Sequence, residues 1–250
     1  MPSRSRPTTV TTHPSAEEEQ AHANLLPDRY FFQTDPADIQ RHLRLVHGLL
    51  TGIAASDSIG ALQPSIEWGP GPTAETASVH LATWDRPALF AKLVGALTFA
   101  GLDIVAARIA TRADHIAIDT FVVREQSGGL PTAREYCNRA IEDALTGRRT
   151  FAAPADTPPH ERRMEPLVEI YRDTLAPRFI VEVHATDHPG LLHRLASAII
   201  AQGLDVSFAR IDTARRIAFD TFHLAPAAHQ PAPTDDDVAR LRQALTDAAR

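Results

Sequence analysis

The sequence predicts an α+β fold made of two copies of one split βαβ module, each an antiparallel sheet with helices on one face. Three observations predict it: an internal repeat, alternation of apolar residues between turn signals, and helical stripes bounded by proline and glycine. Residues 79–111 read VHLATWDRPALFAKLVGALTFAGLDIVAARIAT, and residues 181–213 read VEVHATDHPGLLHRLASAIIAQGLDVSFARIDT. Asp85 falls on Asp187, Pro87 on Pro189, Gly101 on Gly203 and Arg108 on Arg210. One residue is then lost between Thr111 and Ile116, where a hairpin turn tolerates it, and Ile116–Phe121 falls on Ile217–Phe222.

In each copy a first strand is predicted by alternation at Val79 and Leu81, and at Phe179, Val181 and Val183. An Asp-x-Pro turn follows, with the proline in the first helical turn, where its missing N–H has no partner to lose. Leu89, Leu93, Val94 and Leu97 make one face of a helix running to about Ala100; Leu191, Leu195 and Ile199 repeat it. Gly101 and Gly203 end these helices, since a C-terminal left-handed residue favours glycine. Second strands are expected at Asp103–Thr111 and Asp205–Thr213, third strands at Ile116–Val123 and Ile217–Leu224. Second helices are expected at Thr132–Leu145, after the loop Ser127–Pro131, and at Asp235–Ala249, with Thr234 as N-cap. A fourth strand at Leu167–Tyr171 would complete the first copy. The second copy ends without one, leaving Leu25–Phe32, a partner or nothing to fill that edge. The boundaries are 1–24, a disordered tail; 25–52, a helical lead-in with Asp35 and Pro36 at a helix start and Ile39, Leu43, Val46 and Leu50 on its stripe; 53–75, a linker; 76–173, the first module with a linker at 150–164; and 177–250, the second. Modules this small gain from pairing edge to edge.

Hydrophobic residues are 44% of the chain and the formal net charge is −6, which argues against a basic nucleic-acid surface. The single cysteine, Cys137, cannot form an internal disulfide, so a reducing, cytoplasmic setting is expected. No apolar run is long enough to span a membrane, and the first twenty residues lack a signal-peptide core.

The repeat, with Asp85-Arg86-Pro87-Ala88 and Asp187-His188-Pro189-Gly190 before its helices, resembles a tandem of ferredoxin-like βαββαβ ACT modules. Trp84-Asp85-Arg86-Pro87-x-Leu-Phe, the Ile-Ala-x-Asp-Thr-Phe strands and Leu26-Pro27-Asp28-Arg29-Tyr30-Phe31 more closely resemble the C-terminal region of the bifunctional uridylyltransferase/uridylyl-removing enzymes. Those enzymes modify the PII nitrogen-signalling protein and sense glutamine. The resemblance covers about residues 25–250. Their catalytic chemistry is not carried with it. No Gly-Ser or His-Asp dipeptide occurs, and Asp235-Asp236-Asp237 opens a helix with no phosphate loop beside it. No catalytic residue, metal or cofactor is expected, and the chain reads as a sensor without its effector.

The resemblance places an amino-acid ligand between modules, at the Asp-x-Pro turns and the start of the second strands. Candidate residues are Asp85, Arg86, Pro87 and Asp103, and Asp187, His188, Pro189, Gly190 and Asp205, with Ile104 and Val206 nearby. A helix N-terminus offers N–H groups and partial positive charge to a carboxylate, and an Asp suits an ammonium group. Gly190 favours the second copy over Ala88 in the first. The same residues also make good helix-start chemistry with no ligand. Arg108 and Arg210 are expected to pair with Asp119 and Asp220 more than to reach a ligand. His184, His188, His193 and His223 match no zinc spacing. Cys137 reads as a buried, inert thiol. The expected function is amino-acid sensing in nitrogen metabolism, glutamine first. An orphaned enzyme segment and a pure interaction module are the alternatives. The partners foreseen are the amino acid, a protein of nitrogen signalling and a second copy of the chain; in the interaction-module alternative the sheet edges and the Ile39–Leu50 helix bind another protein.

Overall fold

A computed structural model describes residues 13–55, 63–125, 130–153, 164–172, 178–227 and 234–250. The first helices are α1 (Ala16–Leu25), α2 (Asp28–Gln33) and α3 (Pro36–Ala55). The first half continues with β1 (Ser65–Pro70), β2 (Thr76–Trp84), α4 (Leu89–Phe99), β3 (Leu102–Thr111), β4 (Ile116–Glu125) and α5 (Leu130–Leu145). The second half is β5 (Leu167–Arg172), β6 (Phe179–Thr186), α6 (Leu191–Ala201), β7 (Leu204–Ala214), β8 (Ile217–Pro226) and α7 (Asp235–Ala249). The strands form one eight-stranded antiparallel sheet in the order β1-β2-β4-β3-β7-β8-β6-β5. Two ferredoxin-like modules therefore meet edge to edge at β3 and β7, where Ala106–Ala110 pairs with Phe208–Asp212 and Arg108 lies opposite Arg210.

Two expectations about the sheet edges and one about the tail change. The strand at Leu167–Arg172 pairs with β6, so it completes the second module rather than the first. The first module takes its outer strand from Ser65–Pro70, inside the stretch read as linker, which pairs with β2. The reason is chain reach: β5 leads into β6 through a short connection, as β1 leads into β2, whereas α5 and the segment after it would have to return across a sheet edge already filled by β1. The expected tail holds α1, capped by a Ser15–Glu18 capping box. Residues 1–12, the loop at 126–129 and most of the 150–164 linker lie outside the described residues, while Leu130 and Pro131, read as loop, belong to α5.

Helices α4–α7 share one face of the sheet and one continuous core, in which Val79, Leu93, Phe121, Val181, Leu195 and Phe222 are fully buried. Phe90 on α4 meets Phe222 on β8 edge to face, at 6.1 Å between centroids, which ties the core across the module boundary. The other face is covered over the first module by α3. There Leu45, Val46 and Leu49 pack on Ala82, Ile116 and Ile118. The repeat helices thus keep to one face, while the lead-in helix takes the opposite one. Over the second module that face carries Phe219, Tyr171 and Leu167, each 43–49% exposed among the described residues.

Candidate functional site

The helices after the Asp-x-Pro turns begin two residues later than the proline, because a left-handed residue intervenes: Ala88 at φ 61° and Gly190 at φ 82°. Each turn is anchored by its aspartate. The Asp85 N–H donates to the His115 carbonyl at 2.7 Å, and the Asp187 N–H donates to the Arg216 carbonyl at 2.8 Å. Those carbonyls belong to the hairpins where the repeat loses a residue, so a hairpin backbone holds each turn in place.

At the second turn the structure brings Asp187, His188 and Gly190 together with Asp103 and Ile104 of the first module around a recess of about 20 Å³. That is room for about one water. Thr98 at the end of α4, His193 and Asp220 complete the lining that matters here. Burial, and then the neighbouring Asp103, push the Asp187 carboxyl up to about 6, with Arg124 pulling the other way. Asp220 is buried with Oδ1 unpartnered, and burial followed by Asp187 pushes it well above the carboxylate range. The His193 Nδ1 is also buried and unpartnered. His188 is half-exposed and its Nε2 accepts from Arg194 at 2.7 Å.

At the first turn Asp85 lies near Asp205, and burial with that neighbour raises its carboxyl. The Ala88 N–H donates to Asp205 Oδ2 at 2.8 Å. Arg86 is occupied by the fold, donating to the carbonyls of Leu145 (3.0 Å) and Trp84 (3.2 Å). Pro87 contributes its carbonyl to Lys92 at 3.0 Å, and Pro189 stands at the corresponding place in the second turn. Asp119, the counterpart of Asp220, has both carboxyl oxygens buried and unpartnered.

The expected pairing of Arg108 and Arg210 with Asp119 and Asp220 does not occur. In register Arg108 stands opposite Thr120 and Ile109 opposite Asp119, so the arginines and these aspartates lie on opposite faces. Both guanidiniums instead hold Asp212, at 2.9 and 2.8 Å. The signal for Asp119 and Asp220 as site residues was available: each is an aspartate on the same face as Phe121 or Phe222, where an apolar residue belongs.

A second polar cluster, which sequence reasoning missed, lies beneath α3. Arg41 donates to His80 Nε2 at 3.2 Å, so His80 carries its proton on Nδ1, which lies 3.2 Å from both Thr120 Oγ1 and His42 Nε2. The Thr120 hydroxyl is 2.8 Å from His42 Nε2, and His42 Nδ1 lies 2.8 Å from the Tyr30 oxygen. The Tyr30 hydroxyl then faces His22 Nε2 at 3.4 Å. Burial first, then His80 beside His42 and Arg112 beside His22, hold His42 down to about 3 and His22 down to about 4. A cavity of about 210 Å³ beside this chain is lined by Tyr30, Asp38, His42, Arg108 and Thr120.

Cys137 is fully buried, and burial pushes its thiol up to about 12. Among the described residues no three His, Cys, Asp or Glu side chains stand together as a metal site, and no helix is long and apolar enough to cross a membrane.

No family model matches the chain. Three of its relatives share one name. The chain is 31% identical over 228 residues to the bifunctional uridylyltransferase/uridylyl-removing enzyme of Gluconobacter oxydans, covering 86% of this chain and 23% of that protein. The enzyme of the same name from Zymomonas mobilis is 32% identical over 210 residues, 80% of this chain and 22% of its own length. That from Rhodospirillum rubrum is 27% identical over 226 residues, 86% of this chain and 23% of its own. The chain thus spans about 23% of the length of the relatives it matches. The resemblance read from the turns and strands stands, and over 86% of its length the chain is homologous to a segment of the bifunctional uridylyltransferase/uridylyl-removing enzymes.

Proposed function

We propose that the chain is a non-catalytic regulatory protein of nitrogen signalling, a pair of ACT-type modules that binds an amino acid, glutamine first, at the Asp187 turn. The observation that carries this reading is the recess itself: its walls come from both modules, and a helix N-terminus at Gly190 faces three carboxyl groups, Asp103, Asp187 and Asp220. Such a pairing suits the two ends of an amino acid: N–H groups for its carboxylate, acids for its ammonium. A recess of about 20 Å³ cannot enclose the whole ligand. Binding therefore favours arrangements in which β3 and α6 stand further apart, and a shift in that population is the signal.

The test is thermal unfolding of the purified chain against the twenty amino acids, with UTP as control. A ligand at about 100 times its dissociation constant adds about 2.7 kcal/mol to the folded state. A shift with glutamine that disappears in Asp187→Ala supports the reading. No shift with any amino acid removes it.

A further inference from the structure

The two turns are built alike and end differently. Each has its aspartate tied to a hairpin carbonyl, a left-handed residue before its helix, and the first residues of the other module's second strand beside it. At the first turn that neighbour is Asp205. Its Oδ2 accepts the Ala88 N–H at 2.8 Å and its Oδ1 accepts the Val206 N–H at 2.9 Å. A carboxylate thus already sits at the N-terminus of α4, in the place the proposed function gives to a ligand carboxylate. Asp119, close to Asp85, is buried with both oxygens unpartnered. At the second turn the equivalent carboxylate, Asp103, also lines the recess, but it accepts from Arg124 at 2.6 Å rather than from the backbone of the turn.

The cause of the difference is one residue on the neighbouring strand. Asp103 pairs in register with Arg124 on β4, whereas Asp205 pairs with Ala225 on β8. Arg124 engages the Asp103 carboxylate at the edge of the recess, so Asp103 does not cap the Gly190 turn. Ala225 offers no cation, so Asp205 takes the backbone N–H across the module boundary. We infer that Asp205 is a built-in carboxylate ligand that closes the first turn, leaving the Gly190 turn as the one that receives a free amino acid. The assignment rests on the proposed reading of these turns as carboxylate seats. Being part of the chain, Asp205 is present at a high effective concentration that a dissolved ligand has to exceed. It also clamps the start of β7 to the start of α4, so that one end of the β3–β7 seam is fixed while the other stays free to open.

The experiment is an L-glutamine titration of the ¹⁵N-labelled full chain, read at the Ala88 and Gly190 amides. Two variants accompany the wild type: Asp205→Ala, which removes the tethered carboxylate, and Ala225→Arg, which keeps it but supplies the cation that Asp103 has. In the wild type Gly190 should respond and Ala88 should not; in either variant both should respond, with two glutamines bound per chain. An Ala88 amide that moves in the wild type, or that stays still in both folded variants, overturns the inference. A silent Gly190 in the wild type with a responding Ala88 in the variants removes the Asp187 site while leaving Asp205 as the plug. Silence of both amides in all three proteins removes both.

Discussion

Replacing His42 by glutamine should flatten the acid side of the stability curve. His42 is 3% exposed, and every polar atom of its ring is committed: Nδ1 to Tyr30, Nε2 to Thr120 and His80. The groups facing it are Tyr30 from α2, Arg41 from its own helix, His80 from β2, Thr120 from β4 and, through Tyr30, His22 from α1; Asp38 and Glu67 lie beyond, against His80. Because the folded value is depressed to about 3 from 6.5, the neutral ring stabilises the fold above pH 6.5, and that stability is lost as the pH falls toward 3. At pH 4 the unfolded chain holds a proton that the folded chain refuses. At about 1.4 kcal/mol for each tenfold in proton activity below 6.5, the loss from pH 7 to pH 4 is about 3 kcal/mol. Other groups also titrate in this interval, so the quantity to measure is a difference: urea unfolding at pH 7 and pH 4 for wild type and His42→Gln. Glutamine keeps a donor and an acceptor but no titrating nitrogen. The wild type should lose about 3 kcal/mol more than the variant. Equal losses would refute the argument, since they would mean that water reaches the ring when it is charged or that α3 already leaves the sheet at neutral pH.

Three further outcomes follow from the turns and the core. Ala88→Gly should stabilise the chain by about 1 kcal/mol, because an L side chain at φ 61° is strained and glycine is not, whereas Gly190→Ala should cost a similar amount; both are read by urea midpoints. Asp187→Asn should raise the melting temperature at pH 7 without ligand, since the folded state resists ionising a carboxyl held up at about 6 while the unfolded chain ionises freely; the gain should vanish below pH 4, and the variant should lose the glutamine response. Cys137 should stay unmodified by a thiol reagent in the folded protein and react only as fast as the chain opens, because the buried thiol is pushed up to about 12; rapid labelling under native conditions would contradict this.

The repeat made the module legible, because helix and strand boundaries recur at a fixed offset and each copy corrects the reading of the other. The turn hairpins and the capping of α7 by Thr234 were equally plain. What was not legible was which strand completes which module. The pairs Ile66 and Trp68, and Val168 and Ile170, show the same alternation, but a strand of six residues beside Gly69, Pro70 and Gly71 looks like linker until a neighbour claims its hydrogen bonds. Of the site, the turns and the strand starts were readable from spacing. The buried carboxyls of Asp119 and Asp220 were assigned to the wrong face because the pairing of Arg108 with Thr120 depends on register, shifted by the bulge between Ile104 and Ala106. The histidine chain under α3 joins residues 22, 30, 42, 80 and 120, and no local pattern links positions so far apart.

The seam between the modules carries a tension that the structure resolves with one residue. Arg108 and Arg210 stand opposite each other in the β3–β7 pairing, where like charges oppose association. Asp212 lies in the same register row as Ala106 and binds both guanidiniums, one through each oxygen. All three side chains remain about a third to a half exposed, so each ion pair contributes only a few tenths of a kcal/mol up to about 1. Asp212→Asn removes both attractions and leaves the repulsion, so a destabilisation of about 1 kcal/mol is expected in dilute buffer. Salt at 1 M shortens the screening length to about 3 Å and should erase most of it. A loss that persists unchanged at high salt would show that Asp212 acts by packing or by hydrogen bonding rather than by charge. A loss confined to low salt would show that Asp212 acts on the seam by charge, as the neutraliser of Arg108 and Arg210.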